Sequence, residues 1–309
     1  DGKSDLIFPF FKPGSGLAIR TQISQGDGTY DFHEQIFLND GNYVFDYPTL
    51  VGDVNGDSMT DLIFRGQDWN GNTNLNVRVK ISNGDGTFTS YSQILGDGAM
   101  VHQNPVLTGD VNGDRMTDLI FLGQDWNGNT NLNVRVKMSN GNGTFTEYEQ
   151  VLGDGAGVHD YPTLTGDVNG DSMTDLIFVG QDWEGDNNLN VRVKMSNGDG
   201  TFTSYSQALG DGPGVHQYPT LTGDVNGDGK TDLIFVGQDW NGNNNLNVRV
   251  KMSNGDGTFT PYEAELGDGN GVFSYPTLTG DVDGDGKTDL IFVGQNWDGC
   301  GLNIRVKRS

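Results

Sequence analysis

The sequence contains very little cysteine: Cys300 is the only one in 309 residues. A single thiol cannot form an intrachain disulfide, so the chain differs from the small secreted domains that disulfides hold together. It also lacks an apolar run long enough to cross a bilayer, and it shows no signal-peptide pattern. We therefore expect no membrane insertion. Because the chain begins inside one of the loops described below, we expect it to be processed or partial.

Basic residues are scarce as well. The chain has 18 Lys and Arg against 42 Asp and Glu, a formal net charge of −24. Nucleic acid is excluded as a partner, because phosphate binding needs charge of the opposite sign. Only 34% of the residues are hydrophobic, 48 are glycine, and no segment has helical periodicity. This composition favours an all-β protein of short strands joined by tight turns.

One motif recurs along the chain. The stretch Asp-Val-Asn-Gly-Asp-x-x-Thr-Asp-Leu-Ile-Phe begins at Asp53, Asp110, Asp167 and Asp224, always 57 residues apart. A fifth copy at Asp281 differs only in having Asp where the others have Asn, and a shortened copy opens the chain. A period of this length indicates an array of one supersecondary unit, in which each unit buries its apolar face on its neighbours.

The repeating unit predicts four antiparallel strands. In the unit 161–217 these are 161–167, 174–179, 189–195 and 201–209, and the tight turn Asn197-Gly-Asp-Gly200 joins the last two. Four such strands repeated radially form the blade of a β-propeller. The chain then has five first, six second, six third and five fourth strands.

We predict a single β-propeller domain over residues 1–309 with six blades represented. The approximate blades are 1–46, 47–103, 104–160, 161–217, 218–274 and 275–309, with the first and last incomplete. The alternative is that these blades form part of a seven-bladed ring, since propellers typically have 4–8 blades.

The repeated motif places oxygen-bearing groups at alternate positions of a loop. In the second unit these are Asp53, Asn55, Asp57, the carbonyl of Met59, and Asp61. Such ligands suit Ca²⁺ better than Mg²⁺, which requires stricter octahedral geometry; the alternative is a plain Asp/Asn/Gly turn. Loops of moderate affinity fill at extracellular calcium concentrations, so we expect an extracellular, secreted or cell-surface protein. The corresponding residues of the other loops are Asp110, Asn112, Asp114, Met116 and Asp118; Asp167, Asn169, Asp171, Met173 and Asp175; Asp224, Asn226, Asp228, Lys230 and Asp232; and Asp281, Asp283, Asp285, Lys287 and Asp289.

The motif Gly-Asp-Val-Asn-Gly-Asp-x-x-x-Asp followed by an apolar strand resembles the FG-GAP/VCBS repeat of integrin-α-type propellers, over essentially the whole chain. The hairpin Asn-Gly-Asp-Gly-Thr-Phe is similar to that of the fungal Psathyrella velutina lectin and its bacterial relatives. This resemblance implies a calcium-binding, sugar-binding propeller.

Candidate ligand-binding residues lie in the loops on the other face of the predicted blades. Each of the second to sixth units has one tryptophan in a polar loop, and these are the chain's five tryptophans. Their amphipathic rings lie beside amide and carboxylate groups, a combination that suits a sugar. The alternative is that each ring seals a gap between blades. Histidines occur in the inter-blade loops of the same face. These candidates are Trp69, Trp126, Trp183, Trp240 and Trp297, with His102, His159 and His216.

Other residues suggest structural roles. The third strands carry basic residues such as Arg78 and Lys80, which we expect to pair with acidic groups of the next blade. The full units are nearly interchangeable, and none has a unique acid, base or nucleophile, so we expect no enzymatic activity. The leading hypothesis is a calcium-stabilised, multivalent binder of glycans or glycoconjugates. The alternative is a structural or adhesive surface module that binds protein or self-associates.

Overall fold

The fold is all-β in a computed structural model of the chain. The structure describes all residues except 1–2, 39, 41–47, 68–73, 97–100, 125–130, 155–157, 159–161, 182–187, 211–214, 216–218, 239–245, 267–271, 273–274 and 296–301. Within the described residues there are 22 strands and a three-residue 3-10 helix, Val101–Gln103. None of the described helical segments is long and apolar enough to cross a membrane.

The chain divides into two compact units, Asp1–Asp110 with Asp114–Gly153, and Val111–Gly113 with Asp154–Ser309. The first unit contains three sheets. Sheet 1 consists of β1 (Leu6–Lys12), β2 (Gly16–Ser24) and β3 (Tyr30–Phe37); sheet 2 of β4 (Leu50–Gly52), β5 (Asp61–Gln67), β6 (Leu75–Ser82) and β7 (Phe88–Leu95); and sheet 3 of β8 (Val106–Gly109), β9 (Asp118–Gln124), β10 (Leu132–Ser139) and β11 (Phe145–Leu152).

The second unit also contains three sheets among its described residues. Sheet 4 consists of β12 (Thr163–Gly166), β13 (Asp175–Gln181), β14 (Leu189–Ser196) and β15 (Phe202–Leu209); sheet 5 of β16 (Thr220–Gly223), β17 (Asp232–Gln238), β18 (Leu246–Ser253) and β19 (Phe259–Leu266); and sheet 6 of β20 (Thr277–Gly280), β21 (Asp289–Gln295) and β22 (Leu302–Lys307).

Every sheet is a simple antiparallel meander. In sheet 4, Leu164 lies opposite Ile177, Ile177 opposite Val193, and Val193 opposite Tyr205. The predicted strands of the unit 161–217 are therefore confirmed, and their boundaries are correct to within two residues. The expected five first, six second, six third and five fourth strands are all found in the described part of the chain. Six propeller-type blades, with three strands each in the first and last, follow from this pattern. That they form a single domain stays a prediction.

The hydrophobic cores lie between consecutive sheets of a unit. Val77 and Val79 on β6 are fully buried in one cluster with Leu119 and Phe121 on β9. Because side chains alternate along a strand, Arg78 and Lys80 lie on the opposite face of β6, toward sheet 1. The ammonium of Lys80 is 4.3 Å from the ring centroid of Phe37 on β3.

This alternation corrects the expected partners of the basic residues. Lys80 of sheet 2 pairs with Asp40, which lies in the connection that precedes sheet 2. Lys194 of sheet 4 pairs at 2.5 Å with Asp154, which lies in the connection that precedes sheet 4. Within sheet 3, Arg135 pairs with the neighbouring strand's Glu149 at 3.0 Å. The partners found lie in the same sheet or the preceding connection, because the third strand directs its apolar residues, and not its cations, toward the next blade.

Candidate functional site

The acidic loops lie between the first and second strands of sheets 2 to 6. In sheet 2 the loop follows Gly52, the last residue of β4, and reaches Asp61, the first residue of β5. All five full loops lie within the described residues, as does most of the shortened loop at the start of the chain.

The first aspartate of each loop organises its backbone. Asp53 Oδ1 accepts hydrogen bonds from the N–H groups of Gly56 (2.7 Å) and Asp57 (3.1 Å), and Oδ2 accepts one from Ser58 (2.7 Å). The same three bonds recur at Asp167 and Asp224. They curl the chain around one carboxylate, so the side chains at the first, third and fifth loop positions come together.

The geometry of this cluster fits a hard cation. In the last loop, Asp281, Asp283 and Asp285 each offer an oxygen, and these oxygens all lie within 4.8 Å of one another. Two oxygens bound to one Ca²⁺ at 2.3–2.6 Å are at most about 5 Å apart. In the second loop the amide of Asn55 is 2.7 Å from Asp57 Oδ2, so the third and fifth positions meet there as well. The donor set and spacing are those expected of a calcium loop.

The ninth-position aspartate has a second role that sequence reasoning missed. Asp61 is fully buried, and its two oxygens accept hydrogen bonds from the N–H of Val54 and the N–H of Ser82, each 2.8 Å away. Asp175, Asp232 and Asp289 make the equivalent pair. This carboxylate fastens the loop to the end of the third strand. Because the donor is a backbone N–H, the type of residue at the end of the third strand gave no signal for this bond.

Burial makes three of these carboxylates costly to ionise, whereas backbone hydrogen bonds from Ser309 and Val282 lower the pKa of Asp289. Removal from water raises the pKa of Asp61 and Asp232, and it raises the pKa of Asp175 to about 6. The backbone hydrogen bonds oppose this shift, while the neighbouring loop carboxylates add to it. A bound cation would offset the mutual repulsion of these groups, so metal binding and folding should be coupled.

The seventh position is occupied by Met in three loops and by Lys in the last two. Its carbonyl is the predicted ligand, and its side chain packs against neighbouring loops. Met173 Cγ lies 3.4 Å from where a Cβ on Gly113 would be, an ordinary van der Waals distance; the glycine there is explained by its left-handed φ of 76°. The Lys230 ammonium lies 2.9 Å from Asp228 Oδ2 and lowers the pKa of that carboxyl.

Neighbouring loops are bonded to each other within each unit. The N–H of Thr231 donates to the carbonyl of Asp167 at 2.6 Å, and the hydroxyl of Ser253 donates to the carbonyl of Val168 at 2.6 Å. The same contacts join Thr117 to Asp53 and Ser139 to Val54 in the first unit. The loops that begin at Asp53, Asp167 and Asp224 are therefore each hydrogen-bonded to the next sheet of the same unit.

The candidate ligand-binding loops fall mostly outside the residues that the structure describes. His102 lies in the 3-10 helix Val101–Gln103, and only the backbone of His102 is described. The other candidates are outside the described residues: Trp69, Trp126, Trp183, Trp240, Trp297, His159 and His216.

Comparison with known families identifies the repeat. The chain matches the FG-GAP-like repeat over residues 53–121, 110–178, 167–235 and 224–292. These matches cover most of the sequence and coincide with the acidic loops and the strands that follow them. The chain belongs to the family of proteins with FG-GAP-like repeats, and its fold is of the β-propeller type.

The chain is similar to several solved structures. A Tc holotoxin pore of Photorhabdus luminescens is 18% identical with a TM-score of 0.52, over 97% of this chain and 13% of that chain. A triple arginine-to-alanine variant of AofleA from Arthrobotrys oligospora is 11% identical with a TM-score of 0.45, over 99% of this chain and 86% of that one. An endo-arabinase from Bacteroides thetaiotaomicron is 14% identical with a TM-score of 0.31, over 86% and 95%. The chain thus spans about an eighth of the toxin chain it matches. No curated protein matches the sequence.

Proposed function

We propose that this chain is a calcium-stabilised, multivalent carbohydrate-binding module that acts outside the cell. The observation that carries the calcium part is the set of three carboxylates, Asp281, Asp283 and Asp285, with oxygens within 4.8 Å of one another in a loop that recurs in five sheets. The repeated Asp53-type backbone bonds support the same geometry in the other loops. The calcium concentration such loops need is that found outside cells.

Carbohydrate binding is supported by the repeated tryptophan loops. Each of the second to sixth units has one Trp between polar residues, as in Gln-Asp-Trp-Asn-Gly-Asn at Trp69 and Trp126. Sugars combine an apolar C–H face with hydroxyls, which such a loop can stack on and hydrogen-bond. Several similar weak sites would give avidity on a glycan-coated surface, with a gain of about 10²–10⁴. The near identity of the units supports a binding role without catalysis.

The test is sugar binding by wild type and a tryptophan variant. Calorimetry with a panel of mono- and oligosaccharides should give Kd values between about 1 mM and 1 μM, or roughly 4–8 kcal/mol, with more than two sites per chain. The double variant Trp126→Ala, Trp183→Ala should bind less while its calcium content and melting curve stay unchanged. If this variant unfolds, the tryptophans pack between blades. If the folded, calcium-loaded protein binds no sugar on a broad glycan array, the alternative of an adhesive module is favoured.

A further inference from the structure

The two terminal sheets each leave one apolar face exposed. In sheet 5, Leu246 and Val248 are 0% and 5% exposed, because sheet 6 packs on them through Leu290 and Phe292. In sheet 6 the equivalent residues of β22, Leu302 and Ile304, are 69% and 56% exposed. Leu278 and Val282 are exposed beside them. We call this surface the tail face: Leu278, Val282, Leu302, Ile304 and Val306.

The first sheet exposes the opposite half of the same kind of interface. Leu6 and Phe8 on β1 correspond to Leu290 and Phe292 on β21, yet they are 41% and 47% exposed, whereas the latter are 6% and 0% exposed. We call this surface, with Ser4, Ser24 and Arg20, the head face. Arg20 shares its partner with Lys12 of β1, because Glu34 lies 3.0 Å from Arg20 Nε and 2.8 Å from Lys12 Nζ, and Arg20 also stacks over Phe10 at 4.8 Å.

The two faces also match in their hydrogen-bonding groups. Between sheets 5 and 6, the N–H of Thr288 donates to the carbonyl of Asp224 at 2.7 Å. Ser4 occupies the position of Thr288 in the head face, and Asp281 occupies that of Asp224 in the tail face. Likewise, Ser24 and Val282 hold the positions of the hydroxyl donor and carbonyl acceptor that join Ser253 to Val168.

The two faces also match sterically at a glycine. We call the space that a Cβ on this glycine would occupy the glycine socket. A Cβ on Gly223 would lie 2.4 Å from Thr288 Cγ2, and one on Gly52 would lie 2.5 Å from Thr117 Cγ2, so the threonine of the next sheet fills each socket. At Gly280, the corresponding socket of the tail face, the nearest atom is Ile291 Cδ1 at 3.9 Å. The socket is open, and Ser4 is the side chain of matching position.

We propose that the tail face of one copy of this chain binds the head face of a second copy, through the same contacts that join consecutive sheets within a unit. The contact is head-to-tail, so it leaves one free head and one free tail and can extend into a ring or a filament. It is separate from sugar binding, because it uses the terminal sheets and none of the tryptophan loops.

Sedimentation velocity in calcium-containing buffer, over a concentration series, tests this proposal. Wild type should show masses that rise with concentration in multiples of the single chain. Gly280→Ala should weaken association about tenfold or more, since its methyl group occupies the socket and a residue at a buried contact centre carries much of the binding energy. Gly210→Ala is the matched control: a Cβ there meets nothing within 4 Å, and the variant should associate like wild type.

A mixing experiment tests the head-to-tail geometry itself. Gly280→Ala blocks the tail and Phe8→Asp blocks the head; Phe8 is exposed, so this change should not unfold the chain. At a concentration where wild type associates but a contact tenfold weaker does not, each variant alone should be largely monomeric, and the mixture should form dimers that grow no further. A wild-type protein that stays monomeric at all concentrations, or a Gly280→Ala protein that associates unchanged, would overturn the proposal.

Discussion

The backbone N–H of Thr117 donates to the carbonyl oxygen of Asp53 over 2.6 Å, so the third sheet is bonded directly to the acidic loop of the second. The carboxylate of Asp53 accepts hydrogen bonds from its own loop, and the backbone carbonyl of Asp53 accepts one from the loop of the next sheet. A cation that orders one loop should therefore also stabilise the joint to the neighbouring sheet.

Calcium removal should destabilise the whole chain. A site with free calcium at 100 times its Kd adds about 2.7 kcal/mol to the free energy of unfolding, and five loops are available. We expect five calcium ions per chain and a melting temperature that falls by more than about 10 °C on chelation. Calorimetry with and without EDTA measures this, and magnesium in place of calcium should restore less. A melting curve that is the same in excess EDTA would contradict the prediction.

Replacing the buried ninth-position aspartate should destabilise even the calcium-free protein. Asp175→Ala leaves the N–H groups of Val168 and Ser196 without their acceptor, at about 1–3 kcal/mol for each buried group. Asp171→Ala is the matched control, because this fifth-position residue accepts only exposed hydrogen bonds from Met173 and Asn169 of its own loop, and their loss should cost less than that of buried ones. Urea unfolding of both variants in EDTA separates the two roles. Equal stability of the two calcium-free variants would show that the buried hydrogen bonds of Asp175 contribute no more than the exposed ones of Asp171.

Backbone strain at the sixth loop position should be relieved by glycine. Ser58, Arg115 and Ser172 have φ values of 67–68° there, whereas the last two loops have Gly229 and Gly286. Left-handed backbone costs a non-glycine residue about 1–2 kcal/mol.

Gly229→Ala should therefore lose about 1 kcal/mol, since its Cβ would meet no atom within 4 Å and strain alone acts. Arg115→Gly should gain less than that, because glycine also adds freedom to the unfolded chain. Chemical denaturation of both variants measures the difference. A loss of stability in Arg115→Gly would mean that the arginine side chain contributes more than the strain it imposes.

Acid should act in opposite directions on the calcium-free and calcium-bound proteins. The pKa of Asp175 is about 6 when folded and near 3.9 when unfolded. Between these values the folded state holds the extra proton, so this group adds stability as the pH falls from about 6 toward 4. With calcium bound, protons compete for the ligand carboxylates, and stability should decline over the same range.

Melting temperatures of calcium-free and calcium-saturated protein between about pH 4.5 and 7 test this prediction. The variant Asp175→Asn cannot titrate at this position, so its calcium-free curve should rise less on acidification. A wild-type calcium-free curve that falls as steeply as the calcium-bound one would refute the assignment.

Sequence periodicity was sufficient to predict the architecture. Strict alternation in stretches such as Leu189–Ser196 predicts strands from the sequence alone, and the 57-residue period predicts their repetition in blades. The regular spacing of Asp53, Asn55 and Asp57 likewise predicts an oxygen cluster, because a tight loop brings alternate residues to one side. Each of these features is formed by residues that are close together in the sequence, so the sequence alone is sufficient to predict them.

Contacts between sheets were decided by the tertiary structure alone. The sequence could not show that Asp61 accepts a hydrogen bond from the N–H of Ser82, because these residues are distant along the chain. For the same reason it could not show that Thr117 fills the space beside Gly52. Nor could it show which way the cations point: alternation fixes that Arg78 and Val79 face opposite sides, but only packing decides which side meets the next sheet. The exposed Leu302 and Phe8 follow from the same cause, since burial depends on which neighbour covers a face and not on the residue itself.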